Sequence, residues 1–170
     1  KLIEPISTTL KGNFSHSRNK NPMLINQAHN TVRTHQNTYR FSLANTSFTW
    51  LNIDYSFSYQ QTKNKDFSSS KSAKTTHDAT LSLLPFAQHT LLTTLAYQQD
   101  YIQQQSFSNT FVDLTYRYTF SKRKIDLELA WTNIFNYKEY NQVIINDIMT
   151  NVMQAPIRPR QFMVSIRFSF

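Results

Sequence analysis

Along this chain hydrophobic residues return at every second position. Phe162, Val164, Ile166, Phe168 and Phe170 share one parity, while Met163, Ser165, Arg167 and Ser169 take the other. Ile125, Leu127, Leu129 and Trp131 alternate with Asp126, Glu128, Ala130 and Thr132. Val112, Leu114, Tyr116, Tyr118 and Phe120 alternate with Asp113, Thr115, Arg117 and Thr119. The same period runs through Leu51–Tyr59 and, with gaps, through Ile6–Phe14, Tyr39–Leu43, Ala79–Leu83 and Leu91–Tyr97. A period of two puts successive side chains on opposite faces of a strand. The pattern predicts an all-β fold of about eight strands, each near the ~9–11 residues that cross a bilayer.

Charge decides which face meets what. Lys11, Arg40, Asp54, Asp78, Asp113, Arg117, Asp126, Glu128 and Arg167 all fall on the parity opposite the apolar residues, and none falls among the apolar positions. A water-facing surface has no reason to exclude charge so completely. A lipid-facing one does, because Lys or Arg at the midplane costs ~2–4 kcal/mol. The expectation is an antiparallel up-and-down transmembrane β-barrel wall, with lipid against the apolar parity and these polar residues towards the lumen. Arg117 and Arg167, on flanking strands, are expected to pair with Asp126 and Glu128. Short connections (44–50, 84–90, 121–124) alternate with long polar ones (16–36, 62–76, 136–160), and 103–109 is intermediate. Short turns on one rim and long loops on the other are the outer-membrane arrangement, with the short side periplasmic. Both chain ends are then expected on that side, and aromatic residues near strand ends are expected to form two girdles.

Composition narrows the remaining classes. The 170 residues carry a net charge of +8, one Gly and no Cys, so thiolate metal sites and disulfides are excluded. No stretch approaches the ~20 apolar residues of a membrane helix. The basic residues are scattered apart from Lys122-Arg123-Lys124, which gives no footprint for nucleic acid. His16, His29, His35, His77 and His89 form no ligand spacing and fall mostly in the expected loops. Asp126 and Glu128 face one way on one strand, but a charge ladder in the wall explains them better than acid–base chemistry. No phosphate loop or nucleophile–base arrangement is present. The chain is expected to be one segment, 1–170, with no enzymatic activity, cofactor or metal site. It begins at Lys1 without a Met or a signal peptide, so the expectation is a processed product or an excised fragment of a longer protein.

The C-terminal third carries a resemblance. Leu127-Glu128-Leu129-Ala130-Trp131-Thr132, closed by Asn133-Ile134-Phe135-Asn136, resembles the penultimate strand of TonB-dependent outer-membrane receptors. Ile157-Arg158-Pro159-Arg160-Gln161-Phe162 is similar to that family's approach to its last strand, and Phe168 and Phe170 resemble its C-terminal assembly signal. The resemblance implies a cell outer membrane location and a role in importing a scarce nutrient. It also implies four partners: outer-membrane lipid, the N-terminal remainder of the barrel with its plug domain, the TonB energy-coupling complex, and the barrel-assembly machinery. Two other readings stand beside it: a complete eight-stranded outer-membrane anchor or adhesin, and a soluble ligand-binding barrel. The last would have to pack more than a dozen aromatic rings inside a small barrel, too much volume for its interior.

Overall fold

The computed structural model describes residues 7–25, 28–65, 70–102, 105–145 and 150–168. Strands β1 (Thr8–Ile25), β2 (Ala28–Phe48), β3 (Leu51–Lys65), β4 (Ser70–Phe86), β5 (His89–Ile102), β6 (Gln105–Phe120) and β7 (Ile125–Thr132) pair in sequence order. A separate hairpin, β8 (Glu139–Ile145) and β9 (Thr150–Pro156), interrupts the meander before β10 (Gln161–Phe168) completes it against β7. Every pairing is antiparallel. The eight-stranded sheet does not close: β1 and β10 are its two edges.

The strands expected from alternation are all present, but β1 to β6 run from 14 to 21 residues, well beyond a bilayer span. The long loops expected at 16–36 and 62–76 are mostly strand. Arg18 lies opposite His35 and Lys20 opposite Arg33, and Lys63 lies opposite Lys71. Backbone pairing continues there after the apolar alternation has stopped, because the ladder needs only main-chain partners. The third expected loop, 136–160, contains the β8–β9 hairpin. At the other rim the chain turns tightly through Thr49-Trp50, Ala87-Gln88 and Ser121 to Lys124, with Lys124 at φ 51°. Register shifts before two of these turns, at Asn45/Phe48 and Leu83/Phe86, the second where Pro85 has no N–H to give the ladder.

Directly paired residues share a face, so register extends the parity argument across the sheet. One row of the apolar face reads Leu10, Leu43, Tyr55, Ala79, Leu95, Val112. The matching row of the other face reads Lys11, Ser42, Ser56, Asp78, Ala96, Phe111. The apolar face is bare: Leu10 is 62% exposed, Phe14 59%, Phe162 64% and Ile166 57%. The polar face is partly covered by the β8–β9 hairpin. Val32 and Ile102, the buried apolar residues among those described, lie on that face, at the end away from the tight turns.

Two histidines on strands sit in aromatic clusters, and one of them, His89, falls where the connection 84–90 was expected. His77 sits on the apolar face beside Phe57, Tyr97 and Tyr55, whose hydroxyl lies 2.7 Å from its Nδ1. His89 lies near the tight turns, its Nδ1 2.6 Å from the Tyr116 hydroxyl and its ring against Phe86 and Tyr118. In each case a tyrosine hydroxyl meets the imidazole's need for a polar partner within an aromatic cluster. His16, His29 and His35 are also on strands.

Candidate functional site

Lys11, Arg40, Asp54, Asp113, Arg117, Asp126, Glu128 and Arg167 all lie on the polar face, but they form separate groups. Lys11 and Asp54 border one hollow together with Asp78. Arg40 borders the next, with Lys11, Ser58 and Asp78. Near the tight turns, Arg117 donates from Nε and Nη2 to one oxygen of Glu128, at 3.1 and 2.7 Å. Arg167 approaches the other Glu128 oxygen at 3.8 Å. The expected arginine–carboxylate pairing therefore forms on Glu128. Asp126 instead accepts a hydrogen bond from the Thr119 hydroxyl at 2.7 Å. Two guanidinium groups and two carboxylates, Glu128 and Asp126, thus balance at this end of the face. Phe168 is paired with Ile125 on the edge strand, and Phe170 lies outside the described residues.

Asp113 has a structural task that its strand position did not reveal. Its carboxylate accepts the backbone N–H of Asn133 at 2.7 Å. Asn133 and Asn136 both hold left-handed backbone, φ 50° and 58°, which Asn tolerates better than most residues. The Asn133 side chain is a junction. Its Nδ2 donates to the carbonyls of Tyr137 (2.7 Å) and Arg158 (3.0 Å), and its Oδ1 accepts from the Tyr137 N–H (3.0 Å). Asn136 Oδ1 accepts from the Arg160 N–H at 3.1 Å. The Asn133-Ile134-Phe135-Asn136 element thus ties the end of β7 to both legs of the β8–β9 excursion and to the start of β10.

That tie folds the hairpin over the polar face. The Asn109 side chain donates from Nδ2 to the Asn141 carbonyl at 2.8 Å and accepts the Asn141 N–H on Oδ1 at 3.0 Å, and the Tyr140 hydroxyl donates to Gln98 Oε1 at 3.3 Å. Phe111, an aromatic on the polar parity, is shielded by the rings of Tyr137 and Tyr140. Beyond this cover opens a cavity of about 530 Å³, lined by amides and hydroxyls: Asn19, Gln36, Gln60, Thr62 and Asn64 among them. Lys74 and Asp100 supply one cation and one anion to its wall. Asn64 is buried, and its Oδ1 accepts no hydrogen bond from the protein. An amide-rich hollow with balanced charge and an unused buried acceptor suits a neutral, hydrogen-bonding solute. Sequence reasoning missed it because Asn, Gln and Thr at 16–36 and 62–76 look like ordinary loop composition.

Among the described residues no three His, Asp or Glu side chains gather as a metal site. Scans against protein-family models, curated proteins and solved structures return no match for this chain.

Proposed function

We propose that the chain is part of the wall of a TonB-dependent outer-membrane receptor, a channel that admits a scarce nutrient and is driven by the inner-membrane energy-coupling complex. The observation that carries this reading is the contrast between the two faces of one sheet. The apolar face is uncovered and free of Asp, Glu, Lys and Arg from the tight turns to the Phe14–Tyr39–Tyr59 row, while the other face bears ionised side chains, hollows and a folded-in hairpin. Hydrocarbon is the cover that rewards such a face, and water or a plug domain suits the other. The C-terminal resemblance supports the family, and the open β1 and β10 edges favour a section of a larger barrel over a closed eight-stranded one. The wall's part in transport is structural. It presents a hydrated polar lining, and the amide-lined cavity at the long-hairpin end is a vestibule for a neutral solute. These residues do no covalent chemistry.

Two measurements test the proposal. Trp131 lies on the apolar face, paired with Leu114 and Phe162. With every other tryptophan, Trp50 included, replaced by Phe, lipids brominated on their acyl chains should quench its emission strongly, and an unquenched Trp131 would rule out the membrane wall. For transport, deletion of the gene should abolish growth on one limiting nutrient, and the full-length gene should restore it only in cells with a working energy-coupling complex. Restoration without that complex would leave a wall of another kind.

A further inference from the structure

The amide-lined cavity holds two opposite charges that do not pair. Lys74 on β4 and Asp100 on β5 stand directly opposite each other, and both line its wall. Opposite charges across a ladder ordinarily attract into a pair. Here no ion pair joins them, and Lys74 is exposed without a protein partner among the described residues. Asp100 is only 5% exposed. Its Oδ2 accepts from Gln98 Nε2 at 2.6 Å, and Gln98 is held in turn by the Tyr140 hydroxyl of the hairpin. The other carboxylate oxygen, Oδ1, has no donor among the described residues. A carboxylate buried this deeply is costly unless a cation or further donors meet it.

Asn64 marks the other end of the cavity. It is 5% exposed, and its Oδ1 lacks a donor. It pairs with Ser70, four residues along β4 from Lys74. Two strands across and four residues along put the Asn64 and Asp100 backbones roughly 16 Å apart. Less the reach of the two side chains, that span matches about three extended residues at ~3.3 Å each. The wall presents Gln36, Gln60 and Thr62 as well. A primary carboxamide carries donor and acceptor side by side, as a peptide group does, so the two can pair through both. Among the described residues no aromatic ring lines this cavity, so a sugar ring finds no flat surface to stack on.

We propose that this cavity binds a short peptide by its free amino terminus. The proposal deepens the reading of the cavity as a transport vestibule, and rests on it. The α-ammonium meets Asp100 Oδ1, and Lys74 donates to the first carbonyl oxygen. That oxygen is fixed close to the terminal nitrogen by the short N–Cα–C path, so a cation beside an unpaired anion reads both groups at once. A simple amine offers nothing for Lys74, and a blocked terminus offers no cation to Asp100. Further along, main-chain groups pair with Gln36 and Gln60, and a peptide N–H supplies the donor that Asn64 Oδ1 lacks. Main-chain recognition of this kind takes a terminus and a run of peptide groups, whatever the side chains. A peptide with uncharged side chains is neutral overall, in keeping with the balanced wall.

The test is isothermal titration of the full-length protein in neutral detergent. The probes are trialanine, its C-terminal amide, its N-acetyl derivative, glucosamine and maltotriose. Trialanine and its amide should bind with similar affinity, and N-acetylation should weaken binding by about tenfold or more. Glucosamine and maltotriose should also bind at least about tenfold more weakly than trialanine. Asp100→Asn should remove the preference for a free amino terminus. Lys74→Gln, at an exposed position, should weaken trialanine binding by roughly threefold or more with far-UV dichroism unchanged. Asp78→Asn, in the neighbouring hollows, should leave affinity and preference intact. Equal binding of trialanine and its N-acetyl form by wild type overturns the proposal whatever the variants do. So does glucosamine or maltotriose binding as tightly as trialanine, and so does the absence of binding by every probe. Quenching of Trp131 by acyl-brominated lipid separates the premise from the inference. A quenched Trp131 with no preference for the free terminus refutes only the peptide site, and an unquenched one refutes the membrane wall.

Discussion

Replacing Asn133 tests whether one side chain holds the β7–β10 corner. Asn133 is 8% exposed, and its carboxamide makes three hydrogen bonds to backbone groups of Tyr137 and Arg158. A net ~1 kcal/mol each gives ~3 kcal/mol for their loss. Its φ of 50° adds a second contribution in Asn133→Ala, because a Cβ without a polar partner disfavours the left-handed region by ~1–2 kcal/mol. Asn133→Gly keeps the backbone conformation and loses only the hydrogen bonds. The expected destabilisation is therefore about 4 kcal/mol for Ala and about 3 kcal/mol for Gly. Asn133→Asp keeps an acceptor for the Tyr137 N–H, but turns a carboxylate towards two carbonyls, beside Asp113. It should be at least as damaging as Ala at pH 7, and less so once acid protonates the carboxyl.

The assay is urea unfolding of the full-length protein in detergent micelles, read from tryptophan emission with every other tryptophan, Trp50 included, replaced by Phe so that Trp131, two residues before the corner, reports alone. Losses of this size are a large share of the ~5–15 kcal/mol that typical domains possess. Two results would refute the reasoning. Equal destabilisation by Ala and Gly removes the backbone contribution, and a loss under 1 kcal/mol in both means that the carboxamide junction is dispensable.

Three further outcomes follow from the faces of the sheet. Leu129→Arg puts a cation on the apolar face and should block assembly into the membrane at ~2–4 kcal/mol, whereas Thr132→Arg, on the polar face opposite Gln161, should assemble normally; equal assembly of the two, by heat-modifiable mobility on gels, contradicts the face assignment. Gly12→Cys, in a chain without cysteine and with open space around the new Cβ, should react with an apolar maleimide but not with a charged, water-soluble one. His35 should titrate below 6.5 by NMR in neutral detergent, because desolvation and the cations Lys65, Arg18 and Arg33, with His16, Lys20 and Lys63 around it, oppose its proton. The folded hairpin then binds that proton less readily than the unfolded chain. His35 leaves stability unchanged above 6.5 and lowers it as pH falls below that value, and a midpoint at or above 6.5 would remove the effect.

The parts of this fold that alternation makes legible are those under the strongest constraint. Leu127, Leu129 and Trp131 against Asp126 and Glu128 read directly as two faces, and β7 pairs accordingly with Tyr116 and Val164. Above the Phe14–Tyr39–Tyr59 row the constraint changes. Arg18 and Lys20 take the parity of Leu10 and Phe14, so the period of two persists while hydropathy no longer reveals it. A search for alternating charge rather than alternating hydrophobicity would have extended β1 to β4. The β8–β9 hairpin has a different cause. Its strands are only seven residues long, and its position depends on distant partners such as Asn109–Asn141, which no local pattern encodes. The Asn133–Asn136 element was recognisable by resemblance, but its work as a junction depends on Arg158 and Arg160, which lie more than a turn of chain away.

The two free edges impose the last requirement. In β1, the seven residues Thr8 to Phe14 cross the apolar belt with β2 on one side only. Roughly half of their N–H and C=O groups point away from β2, about three of each. In hydrocarbon each unsatisfied group costs several kcal/mol, so one bare edge would forfeit more than the whole stability of an ordinary domain. The β10 edge, Gln161 to Phe168, faces the same deficit. If the apolar face meets lipid, both edges must be hydrogen-bonded to further strands of the same wall. Amide hydrogen exchange on the full-length protein in lipid nanodiscs then has a definite outcome: β1 and β10 should be protected across the belt as strongly as β4, which has neighbours on both sides. Rapid exchange confined to alternate residues of β1, with β4 protected, would mean that water reaches the edge and that hydrocarbon does not surround this sheet.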